Sequence, residues 1–469
     1  MRLGASSPIF TSRKARCVTS GSGPPAAAAG APAPEPVVPL PEDEGQRGGG
    51  QRPRFSAKMR PDKRLLSLIM VYFTVFVDFL GTANLLPVLP FLIGARPHED
   101  SFTRESMGGL EPGAAMAVVM FAFSGAQFVS GLLFGRLSDR LGRRPLLLAS
   151  LVGGAVSYAL QGVAILVGSF PLFVGARVVT GLFGGSRAVA LAYIADVARP
   201  EHRARLAGLL ALSVTLAMQF GPVLGGSLGS LKLALPCYVT AGASAVGGGL
   251  VWGLLEESRQ PAAGGRGGPA PEGEGGDRVA FRLNLLFSFC SGFWAMSTLS
   301  AFALLTPVRF GFDPNKVGLA ALGDGVMILL GNPVYLLLVK HLRVPTVAAL
   351  GCTLMSLVAV CPYLDLAPQF TLRYLSGIGG PMAIPAVSAI VSLIAPAHRR
   401  GAWTGMTVAS QALGRAMAPL VIGVTFDLDY HLPFVISGAV IACGLLLCLL
   451  LFPRLPRVQQ ERPAAAADA

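Results

Sequence analysis

The chain has 469 residues, of which 52% are hydrophobic and 13% are charged, and its formal net charge is +13. Soluble domains carry about 25% charged residues, so this composition excludes an ordinary globular protein. The bases cluster at the ends of apolar segments, as topology determinants do in membrane proteins. We therefore expect no nucleic-acid partner.

The residues that could carry other chemistry are sparse. The seven cysteines are scattered and form no CxxC or Cys/His spacing, so we expect no disulfide framework, no metal site and no cofactor. The chain contains no HExxH motif and no P-loop. We therefore expect neither an enzyme nor an ATP-driven pump.

The N-terminal residues 1–61 are rich in Ala, Gly, Pro and Arg and lack hydrophobic periodicity, which predicts a disordered tail. Its early bases and hydroxyl residues precede the first acid, Glu35. That order is similar to a transit peptide, although a plain cytosolic tail has the same composition. Residues 455–469 are predicted to form a second disordered tail.

Apolar stretches, each about as long as a bilayer-crossing helix, fill the rest of the chain. We place spans at about 65–93, 112–134, 146–168, 171–195, 206–229 and up to 255, and then at 283–306, 317–339, 345–364, 369–394, 402–426 and 433–452. Pro87 and Pro90 should break the first span near its end. This predicts an all-α membrane protein with twelve transmembrane helices in two six-helix bundles, 62–257 and 281–454. The Gly- and Pro-rich residues 258–280 form a flexible linker between them.

The distribution of bases predicts the orientation. Most Lys and Arg residues outside the spans lie in the two tails or in turns after even-numbered spans. We call the end of the helices that carries these turns the basic face, and the other end the opposite face. The positive-inside rule places the basic face in the cytosol or its topological equivalent. The membrane itself stays open: plasma membrane, or an organelle such as a plastid or mitochondrion.

The two halves repeat one another. Arg177-V-V-T-Gly181 recurs 196 residues later as Arg373-Y-L-S-Gly377. At the same offset the triplet Pro200, His202 and Arg203 recurs as Pro396, His398 and Arg399. Duplicated halves of like topology are typical of transporters in which two bundles rock around a cavity near the bilayer midplane.

Four motifs give the chain a specific resemblance. They are the turn G-R-L-S-D-R-L-G-R-R at 135–144, Asp78-x-x-Gly81 followed by Pro87-V-L-Pro90, Arg177-x-x-x-Gly181, and Gly221-Pro222-x-x-Gly225-Gly226. Together they resemble the major facilitator superfamily, and in particular its drug:proton antiporters, which include the tetracycline efflux proteins. Ala217 replaces the leading glycine of the last motif. The resemblance covers about residues 65–452.

The resemblance implies a gate on the basic face. Asp139 would latch the two halves together, and Asp196 would join the charge network with Arg143 as its partner. The gate residues are Gly135, Asp139, Arg140, Gly142, Arg143, Arg144 and Asp196. The alternative is that these charges only hold topology. The glycines and proline at 221–226 are implied to form a dry seal that favours antiport, the alternative being general Gly-rich packing.

Charged residues inside the spans are the candidates for proton coupling, because a charge in lipid is costly. They are Asp78, Arg177, Arg187, Asp324 and Arg415. Asp78 lies near mid-bilayer and could exchange a proton, unless a neighbouring helix satisfies it. Asp324 could instead sit shallow, and Arg187 could snorkel beside Asp196.

Polar side chains in the spans are weaker candidates. Asn84, Gln127 and Gln219 could line the cavity or bond neighbouring helices. The excess of bases over acids in the spans favours an anionic or zwitterionic substrate.

These observations predict a secondary active transporter that moves a small organic solute by alternating access, with proton-coupled antiport (efflux) as the leading mechanism. A facilitative uniporter or a symporter for a metabolite or organic anion is the alternative, and a receptor or scaffold on the same fold is a third. We expect the partners to be the solute, protons and the bilayer, and the chain to be a monomer.

The counterpart of the basic turn after the eighth span keeps Gly331 but has Tyr335 in the place of Asp139. The latch should therefore be one-sided. We expect Asp139→Asn to impair transport in proteoliposomes while membrane insertion, followed by the yield of monodisperse protein, stays normal. Loss of folded protein would instead give the turn a purely structural role.

Overall fold

The computed structural model describes residues 61–96, 98–258, 277–395 and 400–454. The predicted tails up to residue 60 and from residue 455, most of the linker, and the second copy of the Pro-x-His-Arg sequence lie outside the described residues. Within the described ranges every regular element is helical. The predicted all-α fold class is confirmed.

Fourteen α-helices are described. They are α1 Pro61–Asn84, α2 Leu89–Leu92, α3 Pro112–Leu141, α4 Arg143–Val167, α5 Phe170–Phe183, α6 Ser186–Val197, α7 Pro200–Gly229, α8 Leu235–Leu254, α9 Arg278–Phe310, α10 Pro314–His341, α11 Val344–Ser356, α12 Leu366–Ile394, α13 Arg400–Leu428 and α14 Leu432–Leu451. Short 3₁₀ helices extend α11 over Leu357–Tyr363 and α14 over Phe452–Arg454. In the described residues, twelve helical stretches are long and apolar enough to cross a membrane, so the chain is an integral multi-pass membrane protein.

The first span is broken where the prolines predict a break. Helix α1 ends at Asn84, and the single turn of α2 begins only at Leu89. Pro87 and Pro90 lack a backbone N–H and disfavour helix in the residue before them. The chain therefore leaves the first span through a kinked segment that lies buried at the opposite face.

The fourth span, predicted at about 171–195, is found at Phe170–Val197 and is divided into two helices. Helix α5 ends at Phe183 and α6 begins at Ser186, so Gly184 and Gly185 interrupt the span. Each glycine disfavours helix by about 1 kcal/mol relative to alanine, and a Cβ on Gly185 would lie 2.4 Å from the ring of Phe134 on α3. The break leaves the N-terminus of α6 inside the membrane.

The second half begins at a capped helix end. Asp277 Oδ1 accepts hydrogen bonds from the backbone N–H groups of Val279 at 2.9 Å and Ala280 at 3.0 Å. The bond from Ala280 is the main reason that the pKa of the Asp277 carboxyl lies below its ordinary value, and the Arg454 guanidinium lowers it further. This cap defines where α9 begins after the linker.

Three apolar clusters organise the packing. One, around Leu147 and Tyr193, consists of residues before the linker. A second, around Phe287 and Phe434, consists of residues after it. The third joins Leu92 and its neighbours to Leu304 of α9. Between the halves, α3 packs on α13 and α7 packs on α10.

Helix α7 lies in two tight seams. On one side, a Cβ on Gly225 would lie 1.7 Å from the carbonyl oxygen of Asn84 on α1. On the other side, a Cβ on Gly226 would lie 2.4 Å from the carbonyl oxygen of Pro314 on α10. The two glycines therefore let α7 approach both helices at backbone contact, which is how small residues drive helix packing in membranes.

We expect Gly225→Ala to destabilise the protein, because the added methyl group meets backbone that cannot move aside; overpacking of this kind costs about 1–3 kcal/mol. Gly249→Ala is the matched control, since a Cβ there meets nothing within 4 Å and should raise stability by up to about 1 kcal/mol. Thermal melting of the purified variants in detergent would compare them. Equal melting temperatures for the two variants would show that α7 is not packed at backbone contact at Gly225.

Candidate functional site

Asp78 lies on α1 opposite the break in the fourth span. Its Oδ2 accepts a hydrogen bond of 2.5 Å from Ser186 Oγ, and Ser186 is the first residue of α6. A helix N-terminus carries a partial positive charge that favours a nearby carboxylate. The side chain of Asp78 is half-buried. The break in the fourth span thus provides a polar environment for an acid in the middle of a membrane span.

Arg177 on α5 is almost completely buried, with 1% of its surface exposed. Its guanidinium lies 4.5 Å from the centre of the Phe123 ring, and Nη2 lies 3.8 Å from Met120 Sδ. Among the described residues, Nε and Nη1 have no hydrogen-bond partner. A buried cation with so few partners is energetically costly, which is typical of a group that a protein keeps for function.

Tyr158 on α4 interacts electrostatically with both charged groups, and sequence reasoning missed it. It is 2% exposed, and its hydroxyl would lie 2.5 Å from a Cβ on Gly81, one helical turn from Asp78. It is close enough to interact electrostatically with both Asp78 and Arg177. A buried tyrosine in an apolar span looks like ordinary packing in the sequence, so no local signal distinguishes it.

The repeat-related Arg373 on α12 is neutralised. Its Nε donates to Asp324 Oδ1 at 2.8 Å, and its Nη2 donates to Oδ2 of the same carboxylate. The guanidinium also lies 3.9 Å from the centre of the Phe302 ring. At the repeat offset, Phe128 stands where Asp324 does. The N-terminal half therefore has no equivalent acid for Arg177.

Arg187 and Arg415 come from different halves. Arg187 is the second residue of α6, and Arg415 lies in the middle of α13. Helices α6 and α13 both pack on α3, and the two positive charges repel each other. The Asp196 carboxylate is bonded to Arg143, and among the described residues no hydrogen bond or ion pair joins Arg187 to Asp196. That Arg187 snorkels towards the basic face stays a prediction.

The three polar candidates lie in different places. Asn84 is 4% exposed and donates to the Pro236 carbonyl at 3.2 Å and to the Thr240 hydroxyl, so it joins α1 to α8 and does not face a cavity. Gln127 lies against the helix break at Gly184. Gln219 packs on Gly325 across the two halves.

The basic-face residues form a network among helices before the linker. Arg143 Nε donates to Asp196 Oδ2 at 3.0 Å. The Glu257 carboxylate accepts from the backbone N–H groups of Arg143 at 2.9 Å and Arg144 at 3.1 Å, which caps α4. Gly142 between α3 and α4 has φ of 106°, a conformation that favours glycine.

Other gate residues contribute less to this network. Arg144 donates to the Trp252 carbonyl, and Arg140 is exposed. The surroundings of Gly135 and of the Asp139 side chain lie outside the described part of the structure, so the latch stays a prediction. Glu257 had no motif to mark it, because its role depends on where α8 ends in space.

Contacts at the opposite face join the two halves. The Asp427 carboxylate at the end of α13 accepts from the backbone N–H groups of Gly113 and Ala114 at 2.7 Å each, which caps α3. Arg96 donates to the Phe312 carbonyl at 2.9 Å. With the α7–α10 seam, these contacts close the space between the halves at the opposite face.

One sequence in α7 has the spacing of a hydrolase nucleophile elbow. Residues 225–229 read G-G-S-L-G, but they are helical, whereas the elbow requires a sharp turn between a strand and a helix. Ser227 Oγ donates to the Val223 carbonyl of its own helix at 2.8 Å. The local geometry is therefore that of helix packing.

Comparison with known proteins identifies the family. The model of the Major Facilitator Superfamily matches residues 71–313 and 285–468. The chain is 26% identical over 364 residues to the class D tetracycline resistance protein of Salmonella ordonez, which covers 75% of this chain and 87% of that protein. It is 37% identical over 175 residues to the class C protein of Escherichia coli, covering 37% of this chain and 41% of that one.

Solved structures show the same fold. The human organic anion transporter MFSD10 (TETRAN) superimposes with a TM-score of 0.60 at 23% identity, over 83% of this chain and 100% of that chain. A bacterial homologue of the human lysosomal transporter Spinster, in an inward-facing and occupied conformation, gives 0.67 at 13% identity, over 84% and 98%.

We expect Asp324→Asn to destabilise the protein, because it leaves the buried Arg373 cation without its counter-charge; breaking a buried ion pair in this way costs about 3–5 kcal/mol. The double variant Asp324→Asn/Arg373→Gln removes both charges and should recover much of the loss. Thermal melting of the three proteins completes the cycle. Additive effects of the two substitutions would show that the pair is not coupled.

Proposed function

Because the chain belongs to the Major Facilitator Superfamily, we propose that it is a secondary active transporter that exchanges a small organic solute for protons by alternating access. The observation that carries the proposal is Asp78, a carboxylate inside the first span that accepts one hydrogen bond from Ser186. Among the described residues Asp78 has no ion-pair partner. It can therefore gain and lose a proton without breaking a salt bridge.

The proposed coupling is electrostatic. Tyr158 interacts electrostatically with both Asp78 and Arg177. Protonation of Asp78 removes a negative charge from the surroundings of Tyr158. It also changes the potential that a solute experiences between the halves, so the proton and the solute bias the same equilibrium between the inward-facing and outward-facing conformations.

The contacts between the halves support an inward-facing conformation. Asp427 and the α7–α10 seam close the opposite face, while the Arg143–Asp196 pair on the basic face joins helices of one half. With the basic face in the cytosol, the solute path opens to the cytosol. The outward-facing state requires the contacts at the opposite face to separate as the halves rock.

A facilitative uniporter or a symporter for an organic anion is the second candidate. The repulsion between Arg187 and Arg415 favours it, because two arginines without an acidic partner among the described residues make their surroundings positive. The human structure of similar fold is described as an organic anion transporter, which supports the same substrate class.

We propose that the protein acts as a monomer in the plasma membrane or an organelle membrane. One chain supplies both halves, so a second copy is not needed to form the solute path.

Proteoliposomes loaded with a pH-sensitive dye test the coupling, with tetracycline and a panel of small organic acids as solutes. The wild-type protein should accumulate a solute only when a pH gradient is imposed, and solute addition should move protons. Asp78→Asn should abolish gradient-driven accumulation but retain solute exchange at zero gradient, because the neutral amide mimics one protonation state permanently.

Asp365→Asn is the control, since Asp365 is exposed and lies in the turn before α12; it should behave as the wild type does. Transport that depends neither on the pH gradient nor on the Asp78 substitution would refute proton-coupled antiport. The uniporter would then remain as the proposed function.

A further inference from the structure

Because the fourth span is broken, Arg187 lies at a helix N-terminus and not in the interior of a continuous helix. Arg187 follows Ser186 at the N-terminus of α6, and α6 packs on α1, α3, α4 and α7 of its own half. The Arg187 side chain is exposed, and α13 of the other half packs on α3, the same helix that α6 contacts. Arg187 and Arg415 therefore lie on helices that meet at the boundary between the halves, and their positive charges repel each other.

Both arginines lie at a similar depth. Arg187 is ten residues from the basic-face end of its span, and Arg415 is twelve residues from that end of the next-to-last span. At 1.5 Å per residue these separations are about 15 Å and about 18 Å, in a hydrocarbon core about 30 Å thick. The pair is thus near the bilayer midplane, too deep for a lipid headgroup.

Neither guanidinium is neutralised. Within the described part of the chain, no hydrogen bond or ion pair is found for Arg187 or Arg415. Asp324 is occupied by Arg373, and Asp78 is bonded to Ser186. Two like charges that face each other without a counter-charge destabilise the unliganded protein, so the arrangement needs an explanation.

We propose that Arg187 and Arg415 together form the binding site for the anionic group of the transported solute, a carboxylate, sulfonate or phosphate. This inference rests on the proposed transport function and names its substrate class. Guanidinium groups bind such oxyanions through paired, charge-assisted hydrogen bonds. The backbone N–H groups at the N-terminus of α6 add further positive potential at the same place.

The site also gives the solute a way to drive the conformational change. One arginine belongs to each half, so an anion between them replaces repulsion by two attractions. Binding therefore favours closer approach of the halves around the solute, which is the differential interaction that alternating access requires.

Binding to the purified full-length protein tests the site without requiring transport. The protein is placed in nanodiscs of phosphatidylcholine, and its melting temperature is followed with matched probes: naphthalene and alkyl carboxylates, sulfonates and phosphates, each beside its neutral amide or ester, and sodium sulfate alone. We expect organic anions to raise the melting temperature and their neutral partners to have no effect. Arg187→Gln and Arg415→Gln should each weaken anion binding by about tenfold or more.

A second readout separates binding from structure. Without ligand, Arg415→Gln should melt at the same temperature as the wild type or higher, because it removes a repulsion. Arg415→Lys should keep part of the affinity. Arg282→Gln, an exposed position on α9, should bind as the wild type does.

The proposal is overturned if no organic anion stabilises the protein, if neutral probes bind equally well, or if both Gln variants retain wild-type affinity. Stabilisation by sulfate alone to the same extent as by the organic acids would reduce the site to an inorganic-anion site and overturn the solute assignment. Arginine-dependent binding without any transport in proteoliposomes would contradict the proposed function and leave the site intact.

Discussion

A charge in the hydrocarbon core is costly unless it is neutralised or hydrated, and a protein that keeps such a charge generally needs it for function. The mid-span charges of this chain differ in how they are stabilised. Arg373 is neutralised by Asp324 within one half. Asp78 is stabilised by a hydroxyl at a helix N-terminus, which satisfies the acid without a counter-ion. Arg177 stays buried with two unpartnered nitrogens. Because such groups are costly in lipid, the half before the linker, which contains Asp78 and Arg177, carries the larger electrostatic cost.

The break at Gly184 and Gly185 connects these charges. Without it, Ser186 would lie in the interior of a helix whose N–H groups are all used, and Asp78 would face no helix terminus. The same break directs Arg187 away from its own half. The second half has the uninterrupted α12 at the corresponding place. The two halves therefore share a topology but differ in the electrostatics of one helix.

Backbone contact at glycine gives the opposite face its closure. Gly225 and Gly226 bring α7 against α1 and α10, while the Asp427 carboxylate caps α3 from the other half. A glycine seam excludes water without bonding the helices irreversibly, since it rests on van der Waals contact. Such a seam is suited to an interface that separates and closes again, as the proposed transport cycle requires.

Much of the architecture could be predicted from the sequence, because bilayer thickness dictates the length of an apolar span and the prolines mark the end of the first one. The paired Arg-x-x-x-Gly sequences revealed the duplication, and charge in a span marked Asp78, Arg177 and Asp324. What the sequence could not show is which charges meet. Asp324 and Arg373 are 49 residues apart, and nothing local links them.

The number of spans, the placement of the basic turns and the presence of costly charges could be predicted from the residues alone, because these follow from hydropathy and from the positive-inside rule. Only the packing of the helices decided that Arg373 is neutralised while Arg177 is not, that Tyr158 interacts with both Asp78 and Arg177, and that Arg187 and Arg415 belong to helices that both pack on α3. Each of these depends on how helices distant in sequence pack, and the energy of a charge depends on its neighbours in space.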